Sequence, residues 1–154
     1  MHVCLLEIQN FRGIKEAKIT LGQHVLLLGA NNVGKSAIID ALALLLGRRG
    51  LVRDLWEHDF FASSPKPEDR ILLRATITGF EPDDPEKHPF WFAADASHVW
   101  WCPLTGKACF GDRPSGATLA LQIGFAARFD AENAEVLTER YFCQRQLFFM
   151  VGDN

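Results

Sequence analysis

Eight consecutive residues, Gly29-Ala30-Asn31-Asn32-Val33-Gly34-Lys35-Ser36, constrain the fold of this chain more than any others. They match G-x-x-x-x-G-K-[ST] in full, a pattern that works only as a loop between a strand and a helix. The flanks agree with that placement. The apolar run Val25-Leu26-Leu27-Leu28 leads in, and the helical stretch Ala37 to Leu46 leads out. At ordinary residue frequencies the four fixed positions would coincide in a chain of this size about once in a few hundred sequences.

The spacing has a physical reason. Nucleotide phosphates are wrapped by backbone N–H groups, and Gly at the tight points of the loop lets the backbone approach closely. The N-terminus of the following helix, where Ala37 lies in the first turn, adds its positive dipole end. Lys35 would place an ammonium on the β- and γ-phosphates, and the Ser36 hydroxyl would ligate Mg²⁺. The expected ligand-binding set is therefore Gly29, Ala30, Asn31, Asn32, Val33, Gly34, Lys35, Ser36 and Ala37, with Ser36 on the metal. No Asn-Lys-x-Asp guanine-reading motif occurs, which favours ATP over GTP.

The 154 residues fit one domain, and 48% hydrophobic content is enough for a real core. A net charge of −3 leaves no whole-chain electrostatic footprint for nucleic acid, so any DNA contact is local or comes from elsewhere in an assembly. The four cysteines, Cys4, Cys102, Cys109 and Cys143, form no C-x-x-C pair, and no basic-then-apolar leader opens the chain. Reduced, structural thiols in a cytoplasmic protein are the expectation. Cys102 and Cys109 flank the turn Pro103-Leu104-Thr105-Gly106-Lys107, which would set them on facing strands. The longest apolar run, Ala37 to Leu46 interrupted by Asp40, is too short for a membrane span.

Period-two alternation predicts strands over Val3–Phe11 and Ile14–Leu21, joined by a turn at Arg12-Gly13. His24–Leu28 reads as a third strand, uninterrupted in the manner of strands buried on both faces. The following helix is apolar almost all round and is expected to be buried, with Gly47 at its C-terminus and Arg48 and Arg49 complementing the dipole. Leu51–Pro67 is irregular, Ile71–Phe80 alternates as a strand, and Glu81–Pro89 is an acidic, proline-broken loop. Further strands are predicted over Phe90–Ala93, Val99–Cys102, Ala108–Phe110, Thr118–Phe129 and Val136–Phe142, with a turn at Asp130-Ala131-Glu132-Asn133. Trp91, Trp100 and Trp101 could stack on bases, but core and cross-strand packing is the commoner fate of such residues. The predicted fold class is α/β (α+β): a lobe of P-loop type, a mixed β-rich sheet around one buried helix, with residues 1–50 as P-loop core and 51–154 as β-rich part.

Turnover would need further groups, a magnesium-side carboxylate at the end of an apolar strand and a residue positioning water. Leu147-Phe148-Phe149-Met150-Val151-Gly152-Asp153 is the nearest match, but its acid follows a Gly. Ser115-Gly116-Ala117 lacks the second Gly of the Ser-Gly-Gly signature and reads as a turn before a strand. No paired-carboxylate, Ser/His/Asp or Cys/His set is present.

Ile8-Gln9-Asn10-Phe11-Arg12-Gly13-Ile14, the loop itself and Ile39-Asp40-Ala41-Leu42 together resemble the start of the SMC/RecF/RecN class of ABC-type ATPases. The Asn31-Asn32 pair and the tail Leu45-Leu46-Gly47-Arg48-Arg49-Gly50 are most similar to the OLD (overcoming lysogenization defect) family of ATP-dependent endonucleases. This resemblance covers roughly the first third of the chain. It implies ATP-driven dimerisation of heads, roles in DNA repair or phage defence, and a Toprim-type nuclease domain after the ATPase. Arg12 matches the family's Asn-Phe-Arg position, where an arginine near the phosphates is expected, and the Q-loop glutamine would be Gln144 or Gln146. Signature motif, magnesium-side carboxylate and nuclease lie far downstream in such proteins. The expectation is thus an ATP·Mg²⁺-binding N-terminal lobe completed by a C-terminal lobe or a second head, reaching DNA through the full assembly and turning over little ATP alone. Two alternatives stay open: a non-catalytic interaction module, and a small self-sufficient NTPase using Asp153.

Overall fold

The computed structural model describes residues 1–29, 34–47, 54–92 and 98–143. β1 (His2–Phe11) and β2 (Ile14–Thr20) form the predicted hairpin, with Phe11 paired to Ile14 across Arg12-Gly13. Arg12 sits at φ 51 and Asn10 at φ 58, a conformation unfavourable for residues with a Cβ. Hydrogen bonds from Arg12 to Asp59 hold this turn.

β1 pairs on its other edge with β3 (Arg70–Thr78), and β3 pairs along its whole length with β6 (Thr118–Asp130). The free edge of the long strand β6 is shared. Its start pairs with β4 (Val99–Cys102), which carries β5 (Lys107–Cys109), and its later part pairs with β7 (Glu135–Phe142). The order is β2-β1-β3-β6-β4-β5, with β7 beside β6, and every pairing among the described strands is antiparallel.

Among the described residues one α-helix, α1 (Lys35–Leu46), lies on this sheet. Ala37, Ala41, Leu44 and Leu45 recur at helical spacing and bury against Leu6, Ile8, Ile71, Leu73, Phe125 and Ala127. At the other end of the same sheet face a second cluster forms from Phe80, Trp100, Leu119 and Leu121. On the opposite face Trp101 and Val99 cover Cys4, Leu5 and Ala120, so the β4–β5 hairpin curls back over β1. Trp100 and Trp101 thus split between two cores as period-two alternation requires, and Trp91, in a turn, packs against the Phe80 cluster.

Three sequence expectations fail. His24–Leu28 is no strand buried on both faces: Leu26 is 79% and Leu28 82% exposed, and Val25 is half-exposed. The segment pairs with no described strand, although β2, which it follows, is the edge strand of the described sheet. The helix is buried on one side only, leaving Ile39 and Leu46 exposed. Phe90–Phe92 forms a turn rather than a strand, with Trp91 and Phe92 donating their N–H groups to the His88 carbonyl and Phe92 packed edge-on to Phe80. Arg48, Arg49, Ala93, Gln144, Gln146 and Asp153 lie outside the described residues.

Candidate functional site: the frame of the phosphate loop

Of the loop, Gly29 and Gly34-Lys35-Ser36 are described, while Ala30, Asn31, Asn32 and Val33 lie outside the described residues. Gly34 is the N-cap of α1 at φ 90, ψ 3, in the left-handed region that glycine alone enters without cost. A Cβ there would also meet the Ile14 side chain at 3.4 Å. Its carbonyl accepts the first helical bond, from the Ile38 N–H at 3.0 Å. The amides of Ser36 and Ala37 fall in the first turn, where a helix supplies no acceptor of its own and the dipole is positive. Ser36 is exposed and Ala37 buried beneath it, so the hydroxyl faces solvent on an anchored turn. Lys35 Nζ donates to the Gly29 carbonyl at 2.5 Å, folding the lysine back across the loop mouth.

Arg12 reaches α1 one turn further on. Its guanidinium hydrogen-bonds Asp40 of the helix and, through Nε at 2.9 Å, Asp59. Its backbone N–H donates to the Asp59 carbonyl at 2.7 Å, and the Phe11 ring lies 5.0 Å beneath the guanidinium. Asp59 is buried in the short 3₁₀ turn Glu57–Asp59, and its other carboxylate oxygen accepts the Trp56 N–H at 3.0 Å. Burial disfavours the charge on Arg12, but the bonds to Asp59 and Asp40 outweigh it and hold the group more firmly protonated than usual. Arg12 thereby ties the β1–β2 turn, α1 and the Glu57–Asp59 turn together beside the loop. Asp59 escaped the sequence reading because nothing marks one acid in an irregular stretch as the partner of an arginine 47 residues away.

This is a strand-hairpin lobe delivering a glycine-capped helix with Lys and Ser at its first positions, the frame of a phosphate-binding loop. The AAA ATPase domain family matches residues 1–88, more than half of the chain. The chain belongs to that family, whose members bind nucleotide.

An uncharacterized protein of Methanocaldococcus jannaschii is 48% identical over 50 residues, which is 30% of this chain and 23% of that protein. The DNA replication and repair protein RecF of Chlamydia abortus is 39% identical over 66 residues, 42% of this chain and 18% of that protein. The chain thus matches less than a quarter of the length of either relative. No described helix is long and apolar enough to cross a membrane.

Proposed function

We propose that the chain is the ATP·Mg²⁺-binding N-terminal lobe of an OLD/RecF-like, ABC-type ATPase, which binds nucleotide itself and hydrolyses it only with a C-terminal lobe or a second head. One observation carries this reading: the left-handed Gly34 cap and the Lys35 ammonium, folded onto Gly29, frame the loop from both ends. In the proposed complex the backbone of residues 29–36 and the Ala37 amide surround the phosphates, and Lys35 swings from a carbonyl to an anion. Ser36, exposed at the helix start, fits an oxygen ligand of Mg²⁺. Bound Mg²⁺ would supply positive charge to the phosphate oxygens. Arg12 sits one helical turn away, where it positions α1 and can turn toward the phosphates.

The requirement for a second lobe is supported by the exposed apolar run Val25, Leu26 and Leu28, which a soluble lobe leaves open only where another element covers it. DNA repair or phage defence in the cytoplasm, endonuclease activity and DNA contact through the full assembly belong to the same proposal.

Titration calorimetry with Mg·ATP tests the reading. Wild-type chain is expected to bind, and Lys35→Ala to bind at least about tenfold more weakly, the weight of one lost charge-assisted contact. No binding, or equal binding after Lys35→Ala, makes the chain a non-catalytic interaction module instead. Hydrolysis by the isolated chain at ordinary enzyme rates, about 1–10³ s⁻¹, that is lost in Lys35→Ala would overturn the two-lobe part. Loss of that turnover in Asp153→Asn would identify the self-sufficient NTPase.

A further inference from the structure

Cys102 ends β4 and Cys109 ends β5, and the register Trp100↔Cys109, Cys102↔Lys107 sets both thiols on one face of the hairpin, diagonal to each other. Diagonal neighbours in a ladder usually stand about 7–8 Å apart at the backbone. Here the two sulfurs are 3.7 Å apart, in van der Waals contact, and both residues are half-buried and reachable from solvent. The hairpin is held on both sides of the pair. The Thr105 and Gly106 amides donate to the Cys102 carbonyl at 3.2 and 2.9 Å, and the Trp100 indole donates to the Gly111 carbonyl at 2.9 Å beneath the Arg113 guanidinium.

We propose that Cys102 and Cys109 form a thiol–disulfide exchange site, a dithiol that low-molecular-weight disulfides oxidise to an internal cross-link. The thiolate of one cysteine attacks the disulfide, forming a mixed disulfide and expelling one thiolate. The second cysteine, as thiolate, attacks the first cysteine's Sγ in that mixed disulfide, forming the internal S–S bond and expelling the remaining low-molecular-weight thiolate. The protons lost by the two cysteines end on the two released thiols, so one external disulfide is reduced for each link formed. Burial and the neighbouring Cys109 thiol push the Cys102 thiol up, so exchange quickens as pH rises. A thiophilic metal fits less well: no third His, Cys, Asp or Glu completes a cluster among the described residues. Cys4 and Cys143 are buried and stand outside the site.

The test incubates the full chain in glutathione buffers of graded redox poise, quenches with acid, alkylates and maps the peptides. The expected result is a Cys102–Cys109 linked peptide in the wild type, reversed by dithiothreitol, with Cys4 and Cys143 modified only after unfolding. Cys109→Ser should stop at one glutathione on Cys102, and Cys102→Ser at one on Cys109. Glutathione on both cysteines without an internal link, no modification of either, or chains cross-linked to each other through them would each overturn the proposal.

Discussion

Arg12 shows how a strained residue is held. Its positive φ at the tip of the β1–β2 hairpin costs on the order of 1 kcal/mol, and three hydrogen bonds to Asp59 and Asp40 offset it. Removing the guanidinium takes the Nε hydrogen bond and the ion pair from Asp59, whose side chain is only 4% exposed. Arg12→Ala is therefore expected to destabilise by about 2–3 kcal/mol in urea denaturation, whereas Asp40→Ala, on the more exposed arm, should cost under about 1 kcal/mol. Equal costs would show that Asp59 does not anchor the turn.

Buried thiols give a second prediction at this scale. Burial raises Cys4 from its ordinary value of 9.0 to about 12, and Cys143 from 9.0 to about 11. Below pH 9 both folded and unfolded chains keep these protons, so stability does not respond to them. Above it the unfolded chain alone ionises, and stability falls until pH passes the folded values. Urea midpoints at about pH 8 and about pH 10 should separate in the wild type, and the gap should narrow in Cys4→Ala.

At the scale of elements, β6 and β7 meet at Gly124, opposite Tyr141. A Cβ on Gly124 would stand 2.5 Å from the tyrosine ring, so the glycine is the floor on which the ring lies. Gly124→Ala should cost about 1–3 kcal/mol, because the ring must swing off the sheet. In a Tyr141→Ala background most of that penalty should vanish. A double-mutant cycle with no coupling would mean that the ring does not rest on the glycine.

Helix α1 and the segment before the loop show where pattern reading works and where it stops. The helix itself forms as its sequence predicts, but only Ala37, Ala41, Leu44 and Leu45 bury, while Ile39 and Leu46, equally apolar, stay exposed. The run at 24–28 is just as apolar but pairs with no described strand, and hydropathy alone cannot tell a segment covered by its own lobe from one awaiting a neighbour. Phe90–Phe92 misled for a related reason. Aromatic content mimics a strand, but Pro89 and the His88 carbonyl close a turn first.

Across the whole molecule, the division of the sequence at residue 50 is not a division of the fold. β1 needs β3, drawn from residues 70–78, on one edge, and Cys4 and Leu5 need Trp101 and Val99 above them. A fragment of residues 1–50 keeps the hairpin and helix but loses their covering core, and a lone two-stranded ribbon is marginal in water. Its far-UV circular dichroism should report an unfolded chain that binds no Mg·ATP. A folded fragment would mean that the β-rich part is not needed to hold the loop.

What depends on near neighbours is legible in the residue order. The loop with its Gly34, Lys35 and Ser36, the faces of β1, β3 and β6, the existence of helix α1 and the facing of Cys102 and Cys109 all follow from local spacing, because backbone periodicity is set residue by residue. Which distant groups meet is set by the assembled sheet: Arg12 with Asp59, Trp101 over Leu5, Tyr141 on Gly124, and the exposure of Leu26 and Leu28. Those outcomes depend on how the sheet curls and which segments pair with one another, a global competition for partners that no single segment records.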